Sequence, residues 1–320
     1  MTRIKKIALE EHFMGPDFEQ YSQVFLNNIP SEQRHNLSSR LADFDDQRLA
    51  EMDEFGIDLV ILSQSGPSVQ GEHNARLAVE KAQANNDFLA ERIARHPNRY
   101  AGFATLAMQN PDAACQELIR AVEELGFKGA LINGHTQGIY LDDPQYEAFW
   151  ATVERLGMPI YLHPTNFFQT PHIMADMPVL AGAVWGWGVE TGSHALRLLF
   201  SGVFDRYPRL KLVLGHMGEG LPFMRWRFDS RFAVYAQGLQ LQKQPSEYIG
   251  TNIVITTSGV CSAPTLMAAI GEMGPEAVMF SVDYPYESTQ LACEFIEQAP
   301  MDDVTRQLVC YENARKLFQL

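Results

Sequence analysis

The 320-residue chain is short of cysteine, of basic charge and of long apolar runs, and each shortage removes a class of protein. Its four cysteines, Cys115, Cys261, Cys293 and Cys310, are scattered without a CxxC pair, so neither a disulfide framework nor a cysteine zinc site is indicated. Lys and Arg number 25 against 39 Asp and Glu, a net charge of −14 with no basic block, which argues against nucleic acid or an anionic membrane as a partner. An anionic small substrate would have to be drawn in by a local positive site. No stretch approaches the ~18 apolar residues of a membrane span. Arg3, Lys5 and Lys6 precede only "IAL" before acids arrive, too short an apolar run for a signal peptide. A soluble cytoplasmic protein is expected. No repeat, low-complexity tract or linker stands out, and no GxGxxG follows the first strand, so the nucleotide fingerprint of a doubly wound sheet is missing.

What is present is globular: 46% of residues are hydrophobic, in a chain long enough for a sizeable core. Eight short runs rich in β-branched and aromatic residues recur: "KIALEEHF", "DLVILSQS", "YAGFATLAM", "FKGALING", "PIYLHP", "KLVLGHMG", "NIVITTSG" and "VMFSVDYP". Segments of helical periodicity separate them, among them 46–55, 72–95, 111–125, 144–156, 189–204 and 262–273. Strands alternating with helices read as βαβ units, and eight units predict a closed α/β barrel of (β/α)8 type, the TIM barrel, as one domain over residues 1–320. A doubly wound open sheet is the competing architecture. Residues 14–45 and 164–188 are much longer than ordinary βα connections and follow strands 1 and 5, which makes them natural lids or pocket walls.

The first run poses a question, because "IALEEHF" interrupts an apolar strand with Glu10, Glu11 and His12. Either the strand ends at Leu9 and the acids are solvated, or alternation sends Glu10 and His12 to one face and Glu11 to the other. The other strand ends carry His163 on the fifth, His216 on the sixth and Asp283 on the eighth. Barrel closure returns the eighth strand to the first, and ionisable residues are rarely buried without a partner, so these groups read together as a site. Oxygen and nitrogen donors of this kind suit Zn²⁺ or Mn²⁺, and three or four protein ligands with an open position make a catalytic site.

"ALEEHF", "YLHP", "LGHMGEGLPFMRWRFD" and "FSVDYPYE" resemble the decarboxylase branch of the amidohydrolase superfamily, most closely the γ-resorcylate (2,6-dihydroxybenzoate) decarboxylases. The resemblance covers essentially the whole chain. It implies one divalent metal ion, Mn²⁺ or Zn²⁺, held by Glu10, His12, His163 and Asp283. Glu10 stands where typical hydrolases of the superfamily have the first histidine of HxH, and "GALING" offers Asn133 and His135 in place of a strand-four lysine, which speaks against a binuclear hydrolase. It also implies a catalytic His216/Glu219 pair, a substrate-binding Arg227, an aromatic Phe25 against the substrate ring, and a homodimer or homotetramer. Helix-start roles compete for two of these: an N-cap for Asp283 and a dipole partner for Glu219. Trp185 and Trp187 are assigned either to the pocket or to a subunit contact.

The expected reaction follows from chemistry. Removing CO₂ from an arene needs somewhere for charge to go, and no motif for a carbanion-stabilising cofactor is present. An ortho-hydroxybenzoate solves the problem itself: phenolate and carboxylate oxygens chelate the metal, the ring carbon takes a proton from Asp283, and the dearomatised ring loses CO₂. The small aromatic carboxylate is expected to be 2,6-dihydroxybenzoate, ahead of 2,3-dihydroxybenzoate, salicylate and 5-carboxyvanillate. The same ligands would serve a lactonase-like hydrolase, and a barrel that binds metal without catalysis is the remaining alternative.

Overall fold

The computed structural model describes residues 4–26 and 29–320, and the side chains of all of these except 24–26. Among the described residues the strands run in chain order as β1 (Ile7–Phe13), β2 (Leu59–Gln64), β3 (Tyr100–Gly102), β4 (Ala130–Asn133), β5 (Ile160–His163), β6 (Leu212–Leu214), β7 (Ile253–Thr256) and β8 (Val278–Met279). All pair in parallel with their sequence neighbours, in runs β1-β2-β3 and β4 to β8. Two single bridges join the runs into a ring: Ala104 with Ala130 beyond β3, and Glu11 with Tyr284 beyond β8. The (β/α)8 barrel is therefore closed, not an open sheet.

The seam between β1 and β8 is the irregular part. The register of β1 on β2 slips between Ala8 and Glu11, a β-bulge that re-aims the following side chains. The regular ladder of β8 stops at Met279, where side chains take over its backbone partners. Ser281 Oγ accepts from the amides of Leu9 and Glu10, at 3.1 and 2.6 Å. Glu11, on the outer face, accepts from the Val282 amide at 3.0 Å. That is why the run "VMFSVDYP" yields only two ladder residues although its whole length follows the barrel wall.

One apolar set fills the barrel: Ile7, Leu9, Ile61, Phe103, Leu131, Tyr161, Val213 and Met279 are all buried there, with Phe318 from the C-terminal segment stacked edge-on to Phe103 at 5.4 Å. A larger set packs strands against the surrounding helices, including Val60, Leu62, Leu118, Trp150, Leu198 and Ile296. Helix α5 shows how local signals place this shell, once the helices α1 (Glu19–Leu26), α2 (Ser31–Ala42), α3 (Gln47–Phe55) and α4 (Ala75–Arg95) precede it. In α5 (Pro111–Glu123) the Asn110 side chain caps the first turn through the Ala113 amide, Pro111 needs no donor there, and Ala114, Leu118 and Ala121 form the buried stripe. Helix α6 (Glu147–Leu156) ends at Gly157, whose φ of 65° is the left-handed stop that glycine supplies without strain.

The two long connections lie after β1 and β5 as expected. The first carries α1 and α2, and the second only short 3₁₀ turns before α7 (Gly186–Phe200). No described helix is long and apolar enough to cross a membrane.

Candidate active site

Strand β1 does not stop at Leu9: Glu10, Glu11 and His12 are all inside the strand and buried. Glu10 and His12 face the mouth of the barrel, while Glu11 turns outward to the β8 backbone and to the buried Arg48, which donates to the His12 carbonyl at 2.6 Å. Burial pushes the Glu11 carboxyl up to about 8, against the pull of the Val282 amide and of Arg48.

Glu10, His12, His163 and Asp283 each offer one ligand atom, and these atoms all lie within 4.8 Å of one another. His12 Nε2 is 3.3 Å from Asp283 Oδ1, and His163 Nε2 is 3.4 Å from Glu10 Oε1. Ligand bonds of about 2.1 Å around a tetrahedral ion place donors roughly 3.4 Å apart. Glu10 Oε1, His12 Nε2 and Asp283 Oδ1 are buried with no hydrogen-bond partner in the protein. Three orphaned atoms aimed at one point are the arrangement a cation completes. The tautomers agree, since His163 Nδ1 lies 2.9 Å from the Pro164 carbonyl and must donate to it, leaving the Nε2 lone pair for the cluster. Ser63 Oγ lies 3.1 Å from His12 Nδ1 and can accept from it, which leaves the His12 Nε2 free in the same sense. Burial and the neighbouring His12 hold the His163 imidazole down at about 3, a neutral base suited to ligation. The residues present fit a divalent metal ion.

His216 and Glu219 stand on the next wall. The His216 Nδ1 donates to Glu219 Oε1 at 2.8 Å, and its Nε2 is 3.5 Å from Asp283 Oδ2. Asp283 is thus divided: Oδ1 belongs to the ligand cluster, Oδ2 faces an imidazole. Burial raises the Asp283 carboxyl, but the neighbouring His12 and His216 imidazoles outweigh it and hold the group well below its usual range. Burial likewise opposes charge on His216, yet Glu10 and Glu219 carry the imidazole well above its ordinary value. The backbone is strained here, with φ of 49° at His216, 53° at Glu219 and 77° at Asp283, in the region that non-glycine residues seldom adopt. Gly259 makes room, because a Cβ there would stand 3.0 Å from the His216 ring.

Other expectations fall outside this cluster. Arg227 is exposed on the helix Arg225–Tyr235, which buries none of its residues. Arg225 of the same helix is half-buried and donates to the Ser246 carbonyl at 3.0 Å. Phe25 belongs to α1 by its backbone, but its side chain lies outside the described residues. Trp185 is 60% exposed, whereas Trp187 bonds Asn166 at 2.7 Å.

Sequence reading gave no site role to several buried polar groups. Asn133, the register partner of His163, has a buried Oδ1 without a protein partner, and both residues border Gly66. Tyr161 and Ser258 bond one oxygen of Glu10. Glu190 of α7 is buried with neither carboxyl oxygen partnered, although it sits in phase with buried His194 and Leu198, a spacing that could have revealed it. Burial pushes the Glu190 carboxyl up to about 8, with Glu219 adding to the rise and Tyr140 opposing it. A carboxyl raised from 4.5 to about 8 on folding destabilises the folded state progressively as pH climbs through that window, by about 1.4 kcal/mol at most for each pH unit traversed. Glu190→Gln should therefore gain melting temperature relative to the unaltered chain as pH goes from 5 to 8.5. An offset between the two proteins that is equal at both pH values would contradict this.

Comparison with known proteins gives the chain a family and several relatives. The amidohydrolase family model matches residues 30–320. The gamma-resorcylate decarboxylase of Rhizobium radiobacter is 43% identical over 98% of both chains. Among solved structures, a 2,6-dihydroxybenzoate decarboxylase complexed with 2,6-dihydroxybenzoate superposes with a TM-score of 0.94 at 42% identity, covering 99% of this chain and 100% of that one. A dihydroxybenzoic acid decarboxylase from Polaromonas sp., with bound manganese and the inhibitor 2-nitroresorcinol, gives 0.93 at 42% identity, over 99% of this chain and 97% of that one. This chain belongs to the amidohydrolase superfamily, on its ortho-hydroxybenzoate decarboxylase branch.

Proposed function

We propose that this chain is a metal-dependent, non-oxidative decarboxylase that converts 2,6-dihydroxybenzoate to resorcinol and CO₂. The observation that carries the reading is the set of three orphaned donor atoms beside His163, in a chain 43% identical to a gamma-resorcylate decarboxylase. Glu10, His12, His163 and Asp283 would hold one divalent ion, with Mn²⁺ favoured by the manganese of the Polaromonas relative. When bound, the ion would supply positive charge for the substrate's carboxylate and ortho-oxygen and fix the ring in place.

The protein's own groups handle the proton. Decarboxylation of an arene carboxylate replaces the bond to CO₂ by a bond to hydrogen, so each turnover consumes one proton. Asp283 Oδ2 is the group in position to deliver it to the ring carbon, and His216, 3.5 Å away, is the group in position to resupply it. Glu219 orients the His216 ring and compensates its charge. Breaking the ring-carboxylate bond then returns the electron pair to the ring and restores aromaticity.

Asn133 supplies selectivity in this reading: its unpartnered Oδ1 beside His163 would accept from the ring hydroxyl that does not chelate. Asn133→Ala should lower kcat/KM for 2,6-dihydroxybenzoate roughly ten- to a hundredfold while changing that for salicylate, which lacks this hydroxyl, far less. Equal losses on both acids would remove the assignment.

The chain is expected to act as one domain and to self-associate. Phe168, Ile173, Val179, Trp185 and Trp226 are each at least 58% exposed, apolar side chains of the kind a second copy would cover. The test of function pairs metal analysis of purified protein with CO₂ release from 2,6-dihydroxybenzoate, 2,3-dihydroxybenzoate, salicylate and 5-carboxyvanillate in D₂O. Deuterium at the ring carbon supports the proposal. Label from H₂¹⁸O in the product of a lactone would establish a hydrolase instead.

A further inference from the structure

Glu10 is held asymmetrically. Its Oε1 has no partner in the protein, whereas its Oε2 takes hydrogen bonds from the Tyr161 and Ser258 hydroxyls. Tyr161 lies on β5 two residues before His163, fully buried in the barrel interior, and Ser258 follows β7. Thr256 Oγ1 sits between them, 2.8 Å from the Tyr161 hydroxyl and 3.1 Å from Ser258 Oγ. Ser258 Oγ also accepts the His216 amide at 3.0 Å. With Oε2 unprotonated, every hydroxyl proton of this network has an acceptor: Tyr161 and Ser258 both donate to Glu10, and Thr256 donates to either of them. Gly215 leaves the space, since a Cβ there would collide with Oε2 and stand 2.8 Å from Ser258 Oγ.

We propose that Tyr161 and Ser258 are positioning residues that fasten one oxygen of Glu10, so that the carboxylate offers a metal ion Oε1 alone and leaves coordination positions for the two oxygens of a chelating substrate. This rests on the reading of Glu10 as a ligand. A carboxylate released from the clamp is free to turn and ligate through both oxygens, filling a position the substrate needs. Loss of the clamp then weakens a chelating ligand more than it weakens the metal itself. A general packing defect would show no such preference.

The experiment uses the full chain stripped of metal and reloaded with Mn²⁺, as Tyr161→Phe, Ser258→Ala, the double variant and Thr256→Val. Manganese affinity is read from the electron paramagnetic resonance of free ion, and 2-nitroresorcinol affinity of the loaded protein from its visible absorbance. The double variant is expected to bind one Mn²⁺ within tenfold of the original affinity and to lose about thirtyfold or more in 2-nitroresorcinol affinity. Tyr161→Phe alone is expected to lose about fivefold or more, which keeps the test decisive if the double variant fails to fold. Thr256→Val, which touches neither oxygen of Glu10, is expected to lose less than about threefold. Retention of 2-nitroresorcinol affinity within threefold in Tyr161→Phe and the double variant overturns the clamp. Undiminished Mn²⁺ affinity in Glu10→Gln overturns instead the assignment of Glu10 as a ligand.

Discussion

Asp283→Asn should keep about one metal ion per chain while CO₂ release falls roughly a thousandfold or more. The asymmetry of Asp283 is the reason. Asparagine retains an Oδ1 that can ligate beside His12 but replaces Oδ2, the oxygen facing His216, by an amide that cannot carry and deliver a proton. Asparagine is also the right probe for the backbone, since at φ 77° it is tolerated where alanine would add strain. Metal analysis and CO₂ release measured on the same sample decide the matter. Activity within tenfold of the original would show that another group donates the proton.

Removal of metal with a chelator should abolish CO₂ release and lower the melting temperature, with both restored by Mn²⁺. Glu10 is fully buried, and burial raises its carboxyl; Asp283 faces the same point. Without a cation the two carboxylates face one another in a buried site, where the His12 and His216 imidazoles hold the Asp283 carboxyl down but leave that of Glu10 raised. An ion that binds only the folded chain adds RT ln(1 + [L]/Kd), about 4 kcal/mol at a thousand times Kd, or roughly 5–10 °C for a chain of this size. A chelated protein with unchanged melting temperature and unchanged turnover would exclude a resident metal.

The barrel was legible because it is written in local signals. The alternation of β-branched runs with helical stripes, Pro111 after the Asn110 cap and Gly157 at a helix end each act within a few residues. The gathering of Glu10, His12, His163, His216 and Asp283 was legible by a different route, since closed topology forces strand ends separated by most of the chain into one ring, and the family resemblance picked the four ligand candidates from among them. What escaped was whatever depends on which way a polar side chain turns once buried. Tyr161 reads as an ordinary strand aromatic, and only the folded chain puts its hydroxyl on Glu10. The fate of Glu11 was hidden similarly, because its partner is the Val282 amide, and a backbone group carries no sequence signature. The apolar pattern overstates strand length at β3, β6 and β8, where it continues past the point at which ladder bonds give way to side-chain ones.

Phe103 and Phe318, in edge-to-face contact, and the buried apolar side chains around them fill the barrel interior and give the site an apolar floor. The described ligand atoms lie at the strand ends opposite that floor, the side from which an aromatic acid would enter. Because a catalyst lowers the barrier in both directions alike, a high concentration of arene and dissolved CO₂ should drive measurable ring carboxylation at the same residues.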